Sequence, residues 1–99
     1  LKREDGKIDW NKTALQLERQ IKAYDPWPGS FCFVNKKRLK ILQVSIAKKD
    51  GTNKNPGEFT LTNKKLIAKC HRGTLILEKV QPEGKKPMTG YDFWQGVGK

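Results

Sequence analysis

Apolar residues first recur with a helical period near the start of the chain. They stand at steps of three, four and three residues: Ala14, Leu17, Ile21 and Tyr24. This spacing places them on one face of an α-helix. Thr13 and Gln16 fit a capping box, in which the hydroxyl and the amide satisfy backbone groups at the helix start. Pro26 forces the residue before it out of the helical conformation, so we predict a helix over about 13–25.

Beyond Gly29 the pattern changes to short runs rich in β-branched and aromatic residues. Five of these runs are predicted to be strands: residues 31–34, 39–47, 58–62, 66–70 and 74–80. Within 39–47 the apolar positions change from odd to even numbers, which predicts a β-bulge or a sharply coiled strand. Segments rich in Asn, Gly and Lys separate the runs and are typical of turns.

Together these elements predict a mainly β fold in one domain over 1–99. Five short strands joined by tight turns favour a small, closed or half-closed antiparallel barrel over about 30–81, because open sheet edges invite aggregation. The helix precedes the barrel, and a short terminal helix is expected at about 89–95.

The composition supports a folded domain and excludes several classes of protein. Hydrophobic residues make up 35% of the 99 residues, and nine aromatic side chains are too many for a disordered basic tail. No apolar run is long enough to span a bilayer, and the sequence shows no signal-peptide pattern.

Cys32 and Cys70 are too few for a disulfide framework or a zinc site, so both are predicted to be core residues. Because the first residue is Leu1, we expect a fragment of a longer protein.

Positive charge is the strongest feature of the composition. Twenty-one Lys and Arg against ten Asp and Glu leave a net charge of +11. The cations cluster in predicted turns, and alternate turns of an antiparallel sheet emerge at the same end, where they can bind phosphates together. The predicted RNA-binding residues are Lys36, Lys37, Arg38, Lys40, Lys64, Lys65, Arg72, Lys85 and Lys86. Another predicted loop carries Lys48, Lys49 and Lys54.

The kind of cation indicates binding to phosphates rather than to bases. The chain has 17 Lys and four Arg; a lysine ammonium is a point charge, whereas bidentate reading of guanine prefers Arg. Recognition by stacking needs exposed aromatic rings on a strand face. Phe33 and Phe59 are the strand candidates, and we predict both in the core. The alternative is that the lysines only form a solvated surface, as lysines in turns commonly do.

No combination of residues predicts catalysis or metal binding. His71 is the single histidine, and it lies in a predicted turn without an orienting partner or a nucleophile. Trp10 and Trp27 bracket the predicted helix; they either stack on bases or fill the fold, and we favour the structural role for both. We therefore predict no catalytic, metal-binding or cofactor-binding residue in this chain.

Three motifs, in this order, resemble the C-terminal domain of methionyl-tRNA formyltransferases. They are Asp5-Gly6-Lys7-Ile8-Asp9-Trp10, Asp25-Pro26-Trp27-Pro28-Gly29 and Gln81-Pro82-Glu83-Gly84-Lys85-Lys86-Pro87-Met88, followed by Asp92-Phe93 in the terminal helix. The resemblance covers about 2–96. It departs at Asp25, where the family usually has Asn, and a helix ahead of all strands departs from the usual order of an OB-fold.

The resemblance implies an OB-like barrel that follows an N-terminal catalytic domain. In that family the catalytic domain binds 10-formyltetrahydrofolate and transfers its formyl group to the methionyl amine of initiator tRNA, while the C-terminal domain holds the tRNA by a basic surface. The implied partners are initiator methionyl-tRNA and the covalently linked catalytic domain. A cytoplasmic monomer without membrane contact is expected.

Two alternatives remain at this point. Similar domains occur in sugar-nucleotide formyltransferases and in formyltetrahydrofolate hydrolases and dehydrogenases, where the domain would be structural. The other alternative is a free-standing OB-like RNA-binding module. The positive charge favours the tRNA enzyme over the small-molecule enzymes, because those have no polyanion to hold.

Overall fold

The computed structural model describes residues 6–25, 29–34, 36–47 and 55–97. Within them the chain forms two helices and six strands: α1 (Ala14–Ala23), β1 (Ser30–Val34), β2 (Lys37–Ile46), β3 (Phe59–Thr62), β4 (Lys65–Lys69), β5 (Thr74–Pro82), β6 (Met88–Thr89) and α2 (Gly90–Val97). The predicted mainly β fold and its two flanking helices are confirmed. The sequence pattern misses β6 because two residues are too few to show alternation. Of the residues named in the sequence analysis, those outside the described ranges are Leu1, Asp5, Pro26, Trp27, Pro28, Lys48, Lys49 and Lys54.

The first helix begins at the predicted capping box. The Thr13 N–H donates to Gln16 Oε1 at 2.9 Å, and the Gln16 N–H donates to Thr13 Oγ1 at 3.1 Å. These bonds satisfy two backbone donors that a helix start leaves without partners. The apolar stripe of α1 then buries Leu17 and Ile21, and the helix packs chiefly on β2.

All strands of the sheet pair in antiparallel fashion, in the order β1-β2-β5-β4-β3, with β6 also on β5. The ladder between β2 and β5 joins Leu39 with Pro82 at one end and Ile46 with Leu75 at the other. Its register shifts around Gln43, so the predicted bulge in this strand is confirmed. A bulge bends and twists its strand more strongly.

The two outer strands, β1 and β3, are not paired with each other among the described residues. The predicted five-stranded barrel is therefore a six-stranded sheet that hydrogen bonds do not close. Residues 7–10 lie between these outer strands. Lys7 forms a parallel bridge with Phe31 of β1, and the Trp10 ring meets the Phe59 ring of β3 edge-on with centroids 5.6 Å apart. Trp10 thus packs against the core, which is the packing that its predicted structural role requires.

The core lies between the sheet and the two helices. The largest apolar side chains that are fully buried in it are Leu17, Leu39, Leu66, Leu75, Leu77 and Val80. Cys32 and Cys70 both lie in this buried cluster, as predicted. Burial raises the pKa of the Cys32 thiol from 9.0 to about 12, because desolvation disfavours the thiolate.

Gly90 sets how closely α2 approaches the sheet. A methyl group at this position would overlap the carbonyl oxygen of Leu77 in β5. We expect Gly90→Ala to lower the free energy of unfolding by about 3 kcal/mol or more, because backbone atoms would have to move apart. Urea denaturation followed by circular dichroism measures the loss.

Gly96 in the same helix provides the matched control. An added Cβ there meets no heavy atom within 4 Å, so Gly96→Ala should be neutral or raise the free energy of unfolding by about 0.5–1 kcal/mol. Equal effects of the two substitutions would show that α2 does not depend on the close contact at Gly90.

The raised pKa of Cys32 predicts a stability loss at alkaline pH. The unfolded thiol ionises near pH 9.0, whereas the folded thiol stays protonated to about 12. Between these values the folded state holds the extra proton, so stability falls as pH rises, by about 1.4 kcal/mol per pH unit for a single group.

Denaturation of the wild-type chain and of Cys32→Ala between pH 8 and pH 11 tests this linkage. The other titrating groups are common to both proteins, so the wild type should lose stability more steeply above about pH 9. Parallel stability curves would contradict the raised pKa.

Candidate nucleic-acid interface

The sheet topology brings most of the predicted phosphate-binding residues to one edge. Because every pairing is antiparallel, β1, β3 and β5 run in the same direction and end at the same edge of the sheet. We call this the basic edge. Its cations are Lys36, Lys37, Arg38, Lys40, Lys64, Lys65, Lys85 and Lys86. The predicted convergence of alternate turns is therefore found for eight of the nine residues.

Arg72 is the residue that the fold does not bring to this edge. It lies in the turn between β4 and β5, at the opposite edge of the sheet, and is exposed. Its carbonyl oxygen accepts a hydrogen bond of 2.8 Å from the N–H of Ala14, beside the start of α1. The nearby His71 is also exposed, and its N–H donates to the carbonyl oxygens of Trp10 and Lys12.

Two tight hairpins hold four of the lysines. Val34 pairs with Lys37 and Thr62 with Lys65, so each hairpin turns over two residues. Asn63 and Lys64 have φ of 49° and 61°, and Lys36 has φ of 67°. Two-residue hairpins favour this left-handed conformation, and Asn-Gly is their preferred sequence. Both turns instead carry the tripeptide Asn-Lys-Lys.

Helix α2 lies between two groups of these cations. On one side a depression of about 440 Å³ contains Lys37 and Lys85 together with Asp92 of the helix. On the other side a depression of about 180 Å³ contains Lys64, Lys65 and Tyr91. The positive charge thus forms a rim around the start of the helix.

Arg38 and Lys40 lie on the outer face of β2. The Arg38 guanidinium carbon is 3.8 Å from the centroid of the Phe31 ring, a cation–π contact that fixes the side chain. Lys40 is exposed and lies opposite Gln81 of β5. The carbonyl oxygen of Arg38 also accepts a hydrogen bond from the N–H of Glu83, which joins this strand to the turn before Lys85.

The cations of the basic edge are not neutralised within the fold. Glu78, Glu83 and Asp92 are exposed nearby, but among the residues that the structure describes none of the eight is in ion-pair contact with a carboxylate. Lys22 and Glu18 on α1, by contrast, form an ion pair at 3.9 Å. Eight positive charges are therefore available to an external anion.

Comparison with known proteins assigns the chain to a family. The sequence model of the formyl transferase C-terminal domain family matches residues 1–98. The chain belongs to this family. The resemblance stated from the three motifs is therefore confirmed.

Similar proteins are named for one activity. The chain is 40% identical to a methionyl-tRNA formyltransferase of Roseiflexus castenholzii, over 98% of this chain and 31% of that protein. It is 39% identical to one of Chloroflexus aurantiacus, over 98% of this chain and 32% of that protein. This formyltransferase C-terminal domain thus spans about a third of the length of the curated relatives it matches.

A solved structure shares the fold at low sequence identity. HypX from Aquifex aeolicus, in complex with tetrahydrofolic acid, matches with a TM-score of 0.74 and 15% identity, over 95% of this chain and 17% of that one. At this identity the match shows that the two domains have the same fold.

In the formyltransferase C-terminal domain the position of Phe33 differs from the prediction, and Lys7 is a residue that the prediction of the binding surface did not include. Phe33 was predicted to be in the core, but 54% of it is exposed. Alternation with the buried Cys32 places Phe33 on the outer face of β1, but Phe31 on the same face is buried, so alternation alone does not indicate the exposure of Phe33. Lys7 lies beside it, with Nζ 5.8 Å from the Phe33 ring centroid. The other stacking candidate, Phe59, is half-buried, in partial agreement with the prediction.

The described residues contain no cluster of metal-ligating side chains. No group of three or more His, Cys, Asp or Glu side chains in those ranges could hold a metal ion. None of the helices in the part of the chain that the structure describes is long and apolar enough to cross a membrane.

The left-handed conformation of Lys64 predicts a gain in stability on substitution. Lys64→Gly should raise the free energy of unfolding by up to about 1 kcal/mol, because glycine adopts this conformation without strain. Lys65→Gly removes the same charge from an extended strand position and should destabilise the fold by roughly 0.5–1 kcal/mol. Thermal unfolding of both variants measures the difference, and a loss of stability in both would contradict the strain at Lys64.

Proposed function

We propose that this chain is the tRNA-binding C-terminal domain of a methionyl-tRNA formyltransferase. That enzyme transfers a formyl group from 10-formyltetrahydrofolate to the amino group of methionyl initiator tRNA during translation initiation. The observation that carries the proposal is the basic edge, where eight exposed or half-exposed cations are without carboxylate partners in the described ranges. Relatives with this name at about 40% identity over nearly the whole chain support it.

The contribution of the chain is electrostatic. Lysines at the ends of tight hairpins project flexible ammonium groups that neutralise phosphates and release counterions. If six to eight of them meet phosphates, the logarithm of affinity should fall against the logarithm of salt concentration with a slope of about −5 to −7. Binding of this kind follows the shape of the tRNA backbone, so selection of the initiator tRNA falls to other parts of the enzyme.

We propose that the interface comprises the eight cations of the basic edge. Arg72 is left out because it lies at the opposite edge of the sheet. A tRNA that spans the basic edge would leave Arg72 on the far side of the domain. This separation also makes Arg72 useful as a control.

Catalysis and folate binding are proposed to belong to an N-terminal domain linked to this one. The chain spans about a third of the length of its relatives, and in the family that it resembles the N-terminal domain binds the folate. We therefore assign no step on the cofactor to residues of this chain. A cytoplasmic monomer completes the proposal.

We also propose that the sheet and residues 7–10 together form a small OB-like barrel. Residues 7–10 occupy the gap between β1 and β3, and Trp10 and Trp94 both pack on the Phe59 side of it. Side chains rather than hydrogen bonds would complete the barrel at this point. A basic edge formed by the ends of three strands is then one mouth of the barrel.

Charge reversal at two matched pairs of positions tests the electrostatic role. Lys37→Glu with Lys85→Glu changes the basic edge, and Lys12→Glu with Arg72→Glu makes the same change of net charge at the opposite edge. All four side chains are exposed. We expect the first variant to bind initiator tRNA at least about tenfold more weakly, with a salt slope shallower by about 2.

The control pair should change the affinity by no more than about threefold, since its charges are far from the bound phosphates. Binding of the chain to uncharged initiator tRNA is measured by fluorescence anisotropy across a salt titration. Equal losses in both variants would indicate attraction by net charge alone. Unchanged binding in both would reject the proposal and favour the structural domain of a small-molecule formyltransferase.

A further inference from the structure

An open cleft lined by aromatic rings lies in the gap between β1 and β3. We call it the aromatic seam; its volume is about 140 Å³ and its lining is Trp10, Phe33, Val34, Gly57, Phe59 and Trp94. The Phe59 ring contacts Trp10 and Trp94, each with centroids 5.6 Å apart. These three rings are half-buried, whereas 54% of Phe33 is exposed. Phe33 therefore presents an open ring at the entrance to the seam.

Two cations flank a pair of aromatic rings beside the seam. Lys7 Nζ lies 5.8 Å from the Phe33 ring centroid, the Phe33 and Phe31 rings meet edge-on at 5.7 Å, and the Arg38 guanidinium covers Phe31 at 3.8 Å. A purely apolar partner would have to desolvate these cations, at a cost in free energy. A nucleotide has both a flat ring for the aromatic side chain and a phosphate for the cation.

The position of Phe33 connects the seam with the basic edge. Phe33 pairs with Arg38 across the β1–β2 ladder, and the hairpin that carries Lys36 follows β1 directly. A strand of RNA that leaves the basic edge along β1 would therefore pass over Phe33. Exposed aromatic rings on a strand face, flanked by cations, are a common means of binding unpaired bases.

We infer that the aromatic seam binds an unpaired nucleotide of RNA, with its base stacked on Phe33 and its phosphate held by Lys7. The inference rests on the proposed function and extends it, because it adds a base-stacking contact to binding by charge alone. Stacking on an aromatic ring accepts every base, so the contact distinguishes unpaired from paired RNA rather than one sequence from another.

Short single-stranded RNA tests this contact directly. The probes are an oligonucleotide of about seven nucleotides with 2-aminopurine at its centre, and the same oligonucleotide with an abasic residue there. We expect the wild-type chain to bind the first probe roughly tenfold more tightly than the second and to quench its fluorescence. Phe33→Ala should remove both the difference and the quenching, with no change in the salt slope, and Phe33→Trp should keep them.

Leu15→Ala is the matched control for loss of an exposed apolar side chain. Leu15 is 47% exposed on α1 and lies outside the seam, so its replacement should leave the ratio of the two affinities unchanged. Circular dichroism of each variant verifies that the fold is retained. A variant of Lys7, Lys7→Gln, should weaken binding of both probes and reduce the salt slope by about 1.

The outcomes separate this inference from the function on which it rests. Equal affinity of the wild type for the two probes, with a steep salt slope, would overturn stacking at the seam and leave binding by the basic edge intact. Absence of binding to both probes and to tRNA at low salt would overturn both. An equal loss for both probes in Phe33→Ala would also overturn the inference, because it would assign Phe33 a structural or protein-docking role.

Discussion

The long antiparallel ladder between β2 and β5 determines where the other elements lie. It runs from Leu39 opposite Pro82 to Ile46 opposite Leu75, and β1 and β4 add to its two sides. Because side chains alternate along each strand, the register of this ladder decides which residues enter the core. It also brings the start of β2 beside the end of β5, where the N–H of Glu83 donates to the carbonyl oxygen of Arg38. The charges near both strand ends become neighbours for this reason.

The buried core stabilises the fold against the repulsion among the like charges of the basic edge. Exposed lysines in tight turns repel one another, but water and salt screen this repulsion at the surface. The core residues of β4 and β5 and the apolar face of α1 lie in the interior. Strained backbone at Lys36 and Lys64 adds a further cost, of the kind that folds tolerate where a side chain serves binding.

Local features of the fold follow from sequence, whereas contacts between distant segments do not. The capping box at Thr13 and the bulge near Gln43 are local patterns of spacing, and the structure contains both. The convergence of turns follows from antiparallel pairing alone, which is why it holds for the eight cations of the basic edge. The position of Arg72 follows from the same rule once the number of strands before its turn is known.

The exposure of Phe33 and the open gap between β1 and β3 could not be predicted from the sequence. An aromatic residue in a strand is buried or exposed depending on what covers it, and nothing local to Phe33 specifies that it stays uncovered while Arg38 covers Phe31 on the same face. Closure of the sheet likewise depends on whether residues 7–10 or a strand fills the gap. These contacts explain the Gly6-Lys7-Ile8-Asp9-Trp10 motif, because Lys7 forms a bridge with β1 and Trp10 packs on β3.

The burial of both cysteines has a practical consequence for spectroscopy. Cys32 and Cys70 are the two cysteines of the sequence, and they are 3% and 0% exposed. A maleimide dye reacts with an accessible thiolate, so the folded chain presents it with no native target. One cysteine introduced at an exposed position of α1, such as Arg19, would take the dye alone. The domain can thus be labelled at a single chosen site for energy-transfer distances without removal of either natural thiol.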